Sequence, residues 1–215
     1  MERAVTKDRN LSDVVSRAVD MLFVQAFKSL TAVRELASLA LAEDAAALTR
    51  RLMELAVKTI FIARDSEEQT RVDRAGTYLA DLWNEWPADL HAVIPEPERN
   101  VWETLAAAYP RYESNGKRRR RPSIKKQFEY ADQPETYAKD YSYLSSITHG
   151  LPPAFVHQYS HGFVPVHDDR EVPRLLVYSA SYALVTFLVW QEHFGFTDIP
   201  GEALMTSVRA ARDAL

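Results

Sequence analysis

The sequence predicts an all-α, single-domain bundle of six to seven helices built on a long N-terminal helical hairpin. Three observations carry this expectation. Glycine is scarce, 6 in 215 residues, too few for the turns of a β-sandwich or barrel. The chain is 47% hydrophobic and 26% charged, which suits a full apolar core and excludes a disordered chain. Apolar residues recur at three- and four-residue spacing over long stretches. No linker divides the chain, so residues 1–215 are expected to form one domain.

The elements follow in order. Leu11 to about Glu43 reads as one helix, with Asn10 or Ser12 as cap and a stripe of Val15, Val19, Leu22, Ala26, Leu30, Val33 and Leu36. Asp44 can cap a second helix, Ala45 to Arg64, along Leu48, Leu52, Leu55, Thr59 and Ile62. Ser66 and Gln69 have capping-box spacing for a third, which Pro87 stops after Trp86. Pro97 opens a fourth that ends at Ala108, before Pro110. Ser123 to Ala131 is a short helical piece. Asp132 to Gly150 is a helix with Pro134 in its first turn and Gly150 just past its end. Residues 151–171 hold Pro152, Pro153 and Pro165 and read as a loop, with an extended piece around Phe163–Val166. Val172 to Phe194 is the most apolar helix, closed by Gly195, and Ile199 to Leu215 is the last. The apolar run Leu175–Trp190 is 16 residues, short for a bilayer, and is expected in the core rather than in a membrane.

Charge is unevenly placed. The net charge is −4, yet the basic loop at 111–126 holds Arg111, Lys117, Arg118, Arg119, Arg120, Arg121, Lys125 and Lys126 against Glu113 alone. Such a run fits phosphates, and Tyr109, Tyr112, Phe128 and Tyr130 beside it can stack on bases. It equally fits a solvated loop. The chain has no cysteine, which removes disulfides, thiolate catalysis and Cys-based zinc or iron–sulfur sites. No secretion signal is visible in the charged residues Met1–Asn10, which points to the cytoplasm.

Two polar stripes lie on apolar helices. Arg50, Glu54 and Lys58 stand at i, i+4 and i+8 of the second helix. Tyr141, Ser145 and His149 repeat that spacing on the helix at 132–150. Charges on a largely apolar helix need a partner or a job. The two stripes are therefore expected to face each other. The helix C-terminus would favour the charged form of His149. The same residues also suit an internal hydrogen-bond network with no catalytic role.

Arg50-x-x-x-Glu54 and the later Tyr141-x-x-Leu144-Ser145-x-x-x-His149 resemble the two marks of the bacterial domain-of-unknown-function 5677 family. That resemblance implies an all-helical protein without an assigned activity. The wider similarity is to HEPN helical proteins, many of them dimeric, metal-independent ribonucleases of toxin and phage-defence systems. Their hallmark is Arg, four to six residues, then His. The corresponding positions before His149 are Ser142, Tyr143 and Leu144, so Arg50 from the neighbouring helix is the candidate cation. On this resemblance Arg50, Glu54, Tyr141, Ser145 and His149 are the candidate catalytic residues. Lys117, Arg118, Arg119, Arg120, Arg121, Lys125 and Lys126 are the candidate nucleic-acid contacts. No metal or other cofactor is expected. RNA, a second copy of the chain and a partner protein are the candidate partners.

Two other readings compete. One is a non-enzymatic bundle that binds a partner or ligand. The other is a metal-dependent hydrolase using His149, His157, His161, His167, Asp168 and Asp169, although no His-Glu-x-x-His pattern is present.

Overall fold

A computed structural model describes residues 13–111, 122–148, 171–196 and 200–213. These residues form an all-α bundle with no strand among them. The helices are α1 (Val14–Ser38), α2 (Ala42–Ala63), α3 (Glu68–Glu85), α4 (Ala88–Val93), α5 (Glu96–Ala108) and α6 (Ile124–Tyr130). They are followed by α7 (residues 134–148), α8 (Val172–Phe194) and α9 (Gly201–Asp213). The run α7 is composite: Pro134–Thr136, a π-helical turn Tyr137–Tyr141, then Ser142–Thr148.

The hairpin of α1 and α2 is the frame. Asp13 starts α1, its carboxylate accepting from the Ser16 amide at 2.7 Å. Of the predicted stripe, Val15, Val19, Leu22, Ala26 and Val33 are buried, with Ala18 beside them, while Leu30 and Leu36 are half-buried against the same core. The expected single helix to Glu43 instead breaks at Leu39–Leu41, where Ala40 turns left-handed at φ 54°. The second helix thereby starts at Ala42, and Asp44 sits in its first turn rather than capping it. Neither does Ser66 cap α3. The N-cap is Glu67, held by its amide on Asp65 Oδ1 at 3.0 Å, while Gln69 turns to Asp73. The short helix α4 was not expected, because Pro87 and Pro95 bracket only a few residues between them.

The third layer sets the site. Helix α8 packs on both hairpin helices, burying Leu175, Tyr182, Phe187 and Trp190. It is long and apolar enough to cross a membrane. Within the bundle it is tied by polar bonds. Thr49 and Ser179 share a buried 2.7 Å bond, and Trp190 Nε1 donates to Asp20 Oδ1 at 3.1 Å. Gly195 ends α8 at φ 67°, a left-handed turn that a side chain would strain. Against the other side of the frame, α3 packs on α5, with Trp83 and Trp102 stacked at 6.0 Å. Finally, α7 and α6 both lean on α2.

Candidate functional site

Helix α2 is buried over much of its circumference: Leu52, Met53, Leu55, Ala56 and Val57 are all within the core. Its polar stripe consequently cannot face open water on every side. Arg50 and Glu54 are about one-fifth and one-third exposed, with Arg50 Nε 3.3 Å from Glu54 Oε1. The third member arrives from α7. Tyr141, 7% exposed, donates its hydroxyl to Glu54 Oε1 at 2.7 Å. The Tyr141 hydroxyl oxygen in turn accepts from Arg50 Nη2 at 3.1 Å. The guanidinium also stands 5.0 Å from the Tyr141 ring centroid. One phenol thus bridges both charges, and the expected meeting of the two stripes holds for these three residues.

Burial is the main reason the Tyr141 phenol is pushed up to about 12, helped by the bond and charge of Glu54 and opposed by Arg50. At neutral pH it is therefore a donor and not a base. Ser145, the next member of its stripe, is half-buried one turn further along α7. His149 lies outside the described residues, directly after the end of α7 at Thr148.

A π-helical turn places Tyr141. The Ser142 amide reaches the Tyr137 carbonyl, one residue further back than in an α-helix, and the Ser142 hydroxyl bonds that carbonyl at 3.0 Å. Tyr137 then stacks on Tyr141 with centroids 5.2 Å apart. Phe128, fully buried on α6, packs 5.5 Å from each of these rings. No residue pattern announces that turn, and the aromatic triplet was missed for the same reason.

Phe128 has a second consequence. It sits on the same short helix as Lys125 and Lys126, both exposed. They close the basic segment at 111–126 and lie in the short helical piece expected from Ser123 to Ala131, which the structure forms as Ile124–Tyr130 with the Ser123 hydroxyl capping the Lys126 amide. The far end of α6 is held by Tyr130, which donates to the Arg64 carbonyl at 2.6 Å and to Asp65 at 2.9 Å. The basic helix is therefore fixed beside the Arg50–Glu54–Tyr141 cluster. Lys117, Arg118, Arg119, Arg120 and Arg121 lie outside the described residues.

The histidine loop reading falls there too, since His149, His157, His161, His167, Asp168 and Asp169 are all outside the described residues. Among the described residues no group of His, Asp or Glu is placed to hold a metal. A serine–histidine contact that sequence reasoning missed joins α1 to α8: Ser16 Oγ lies 2.8 Å from His193 Nε2. Ser16 already donates its proton to Asp13, so His193 Nε2 donates to Ser16. With Ser16 only 5% exposed, this is a clamp between helix ends rather than a nucleophile and its base.

No curated protein and no solved structure matches the chain. A family model does match, over residues 17–162, a span that holds both polar stripes and the basic segment. With its hairpin frame, its Arg50–Glu54–Tyr141 cluster and that match, the chain belongs to a family of unknown function (DUF5677).

Proposed function

We propose that this protein is a HEPN-like RNA-binding module that cleaves the RNA backbone without a metal. The observation that carries this reading is the junction of Arg50, Glu54 and Tyr141 beside the exposed lysines of α6. A phosphodiester drawn in by Lys125, Lys126 and the preceding arginines would arrive next to one partly exposed guanidinium. Arg50 then stabilises the charge that grows on the phosphoryl oxygens. Tyr141, neutral up to a pH of about 12, supplies a hydrogen-bond donor. Glu54 holds both groups in place. His149 takes the proton of the ribose 2′-hydroxyl as its oxygen attacks phosphorus, and the 5′-oxygen leaves.

The test is cleavage of a labelled single-stranded RNA in the presence of a chelator. Wild-type protein is expected to cut it. His149→Ala is expected to lose ~10²–10⁴-fold in rate while still folding and binding RNA. Cleavage that the chelator abolishes would transfer the activity to the histidine loop and a metal.

One observation favours a second, non-enzymatic reading. Glu54 takes both the Arg50 ion pair and the Tyr141 hydrogen bond, so the cluster also satisfies itself as a latch between α2 and α7. Binding of RNA or a partner with no cleavage by the wild-type chain would support that reading instead.

A further inference from the structure

Arg74 and Arg174 each lie between two aromatic rings, and they differ at their edges. Arg74 stands 4.0 and 4.5 Å from the Phe61 and Tyr130 ring centroids. Its N–H groups are spent on the Phe61 carbonyl at 2.7 Å and on Asp65 at 3.0 Å. Arg174, in the first turn of α8, is bracketed in the same manner by Tyr143 of α7 at 5.4 Å and by Tyr178 at 5.3 Å. Its edge is not spent that way. Asp140 Oδ1 is 3.9 Å from the Arg174 Nη2, too long for a hydrogen bond, and also accepts from the Tyr178 hydroxyl at 3.5 Å. The Tyr178 oxygen can take one of the five N–H donors. Among the described residues no carbonyl or carboxylate oxygen holds the others at bond distance. The Arg174 side chain is 45% exposed, so a ligand can reach it. A guanidinium with its plane held by two rings and donors left on its edge is pre-organised for a phosphate.

Its position ties it to the Arg50 cluster. Thr49 and Ser179, bonded at 2.7 Å, are the chain neighbours of Arg50 and Tyr178. Helix α7 reaches both sides of this seam, Tyr141 contacting α2 while Asp140 and Tyr143 contact α8. Arg50 therefore flanks α7 on its α2 side and Arg174 on its α8 side.

We infer that Arg174 is a phosphate contact for bound RNA, engaging the strand where it passes from the Arg50 cluster across α7 onto α8. The inference rests on the RNA reading and extends its surface to a third helix. Asp140 competes with the phosphate for the same guanidinium edge.

Binding of a labelled single-stranded RNA over a salt series, by the wild-type chain, Arg174→Ala and Asp140→Asn, tests it. Arg174→Ala is expected to weaken binding about tenfold and to lower the salt slope by about 0.7. Asp140→Asn removes the competing carboxylate and is expected to tighten binding several-fold. A mere tie between α7 and α8 predicts no such gain, so Asp140→Asn carries the test if Arg174→Ala fails to fold. Unchanged affinity and slope in Arg174→Ala, or an Asp140→Asn variant that binds no tighter, would overturn the proposal. RNA binding that drops in Lys125→Ala/Lys126→Ala but not in Arg174→Ala would sink this inference alone. No RNA binding by the wild-type chain would sink the RNA reading with it.

Discussion

Two clusters in this molecule are made of the same three kinds of side chain and behave differently. Arg50, Glu54 and Tyr141 join α2 to α7; Arg74, Asp65 and Tyr130 join α3 to the α2 end and to α6. In the second, Arg74 lies between the Phe61 and Tyr130 rings, at 4.0 and 4.5 Å, and donates to the Phe61 carbonyl at 2.7 Å. Asp65 accepts from the Glu67 amide, the Tyr130 hydroxyl and Arg74, and these hold its carboxyl below the usual carboxylate value. That cluster is a corner staple, its groups committed to backbone and neighbouring rings. In the first, the shift falls on the tyrosine, upward and chiefly through burial. The contrast shows what separates a staple from a candidate site here: which backbone groups the arginine holds, and where the low-dielectric environment falls.

The largest expected effect breaks the staple. Arg74→Ala strips the partner from Asp65, leaves the Phe61 carbonyl without its guanidinium donor and frees the end of α6. A loss of about 2–3 kcal/mol in urea unfolding is expected. Arg50→Ala, in a more open ion pair, should cost about 1 kcal/mol or less and weaken RNA binding instead. Equal stability losses for the two would erase the distinction.

The tyrosines sharpen it. Tyr141→Phe removes a buried phenol that bridges two charges, with an expected cost of about 1–2 kcal/mol. It also has an optical readout. Tyr141 and Tyr78 are both pushed up to about 12 by burial, so both should ionise late in an alkaline absorbance titration, and Tyr141→Phe should remove one. A raised folded value means that stability from Tyr141 is complete below pH ~10 and lost as pH climbs through the folded value. A Tyr141 that ionises near pH 10 would show an open site.

The smallest effect concerns acid. Because the Asp65 carboxyl is lowered on folding, its contribution is present above the ordinary aspartate value of 3.8 and lost as pH falls below it. Asp65→Asn should flatten that part of the stability profile. For His193 the sign differs: burial lowers it, Arg71 lowers it further and Asp13 opposes, so the neutral ring is favoured on folding. Stability from this ring is therefore expected to decline as pH drops below the ordinary histidine value of 6.5, and His193→Gln should remove that slope.

The first cluster was legible in the sequence and the second was not. Arg50 and Glu54 share one helix face by spacing alone, and Tyr141 heads a matching stripe, so helical geometry was enough to suggest that they meet. Asp65, Arg74 and Tyr130 come from a turn and two helices, and no single periodicity links them. The helices themselves were legible from apolar spacing and from Pro87, Pro134 and Gly195. Their first turns were less so. Ser66 and Asp44 have capping chemistry, yet backbone contacts around Glu67 and Leu41 fixed the starts elsewhere. The π-helical turn at Tyr137–Tyr141 left no sequence signal, because it is set by packing of Tyr137, Tyr141 and Phe128.

The most direct measurement of the central claim is RNA affinity as a function of salt for the wild-type chain, Arg50→Ala and the double variant Lys125→Ala/Lys126→Ala. Both lysines are exposed, so the double variant should keep its melting temperature. If α6 and the Arg50 cluster form one RNA surface, removing two phosphate contacts should lower the salt slope by about 1.4. Arg50→Ala should weaken binding with a smaller change in slope. Unchanged affinity and slope in both variants would contradict the account.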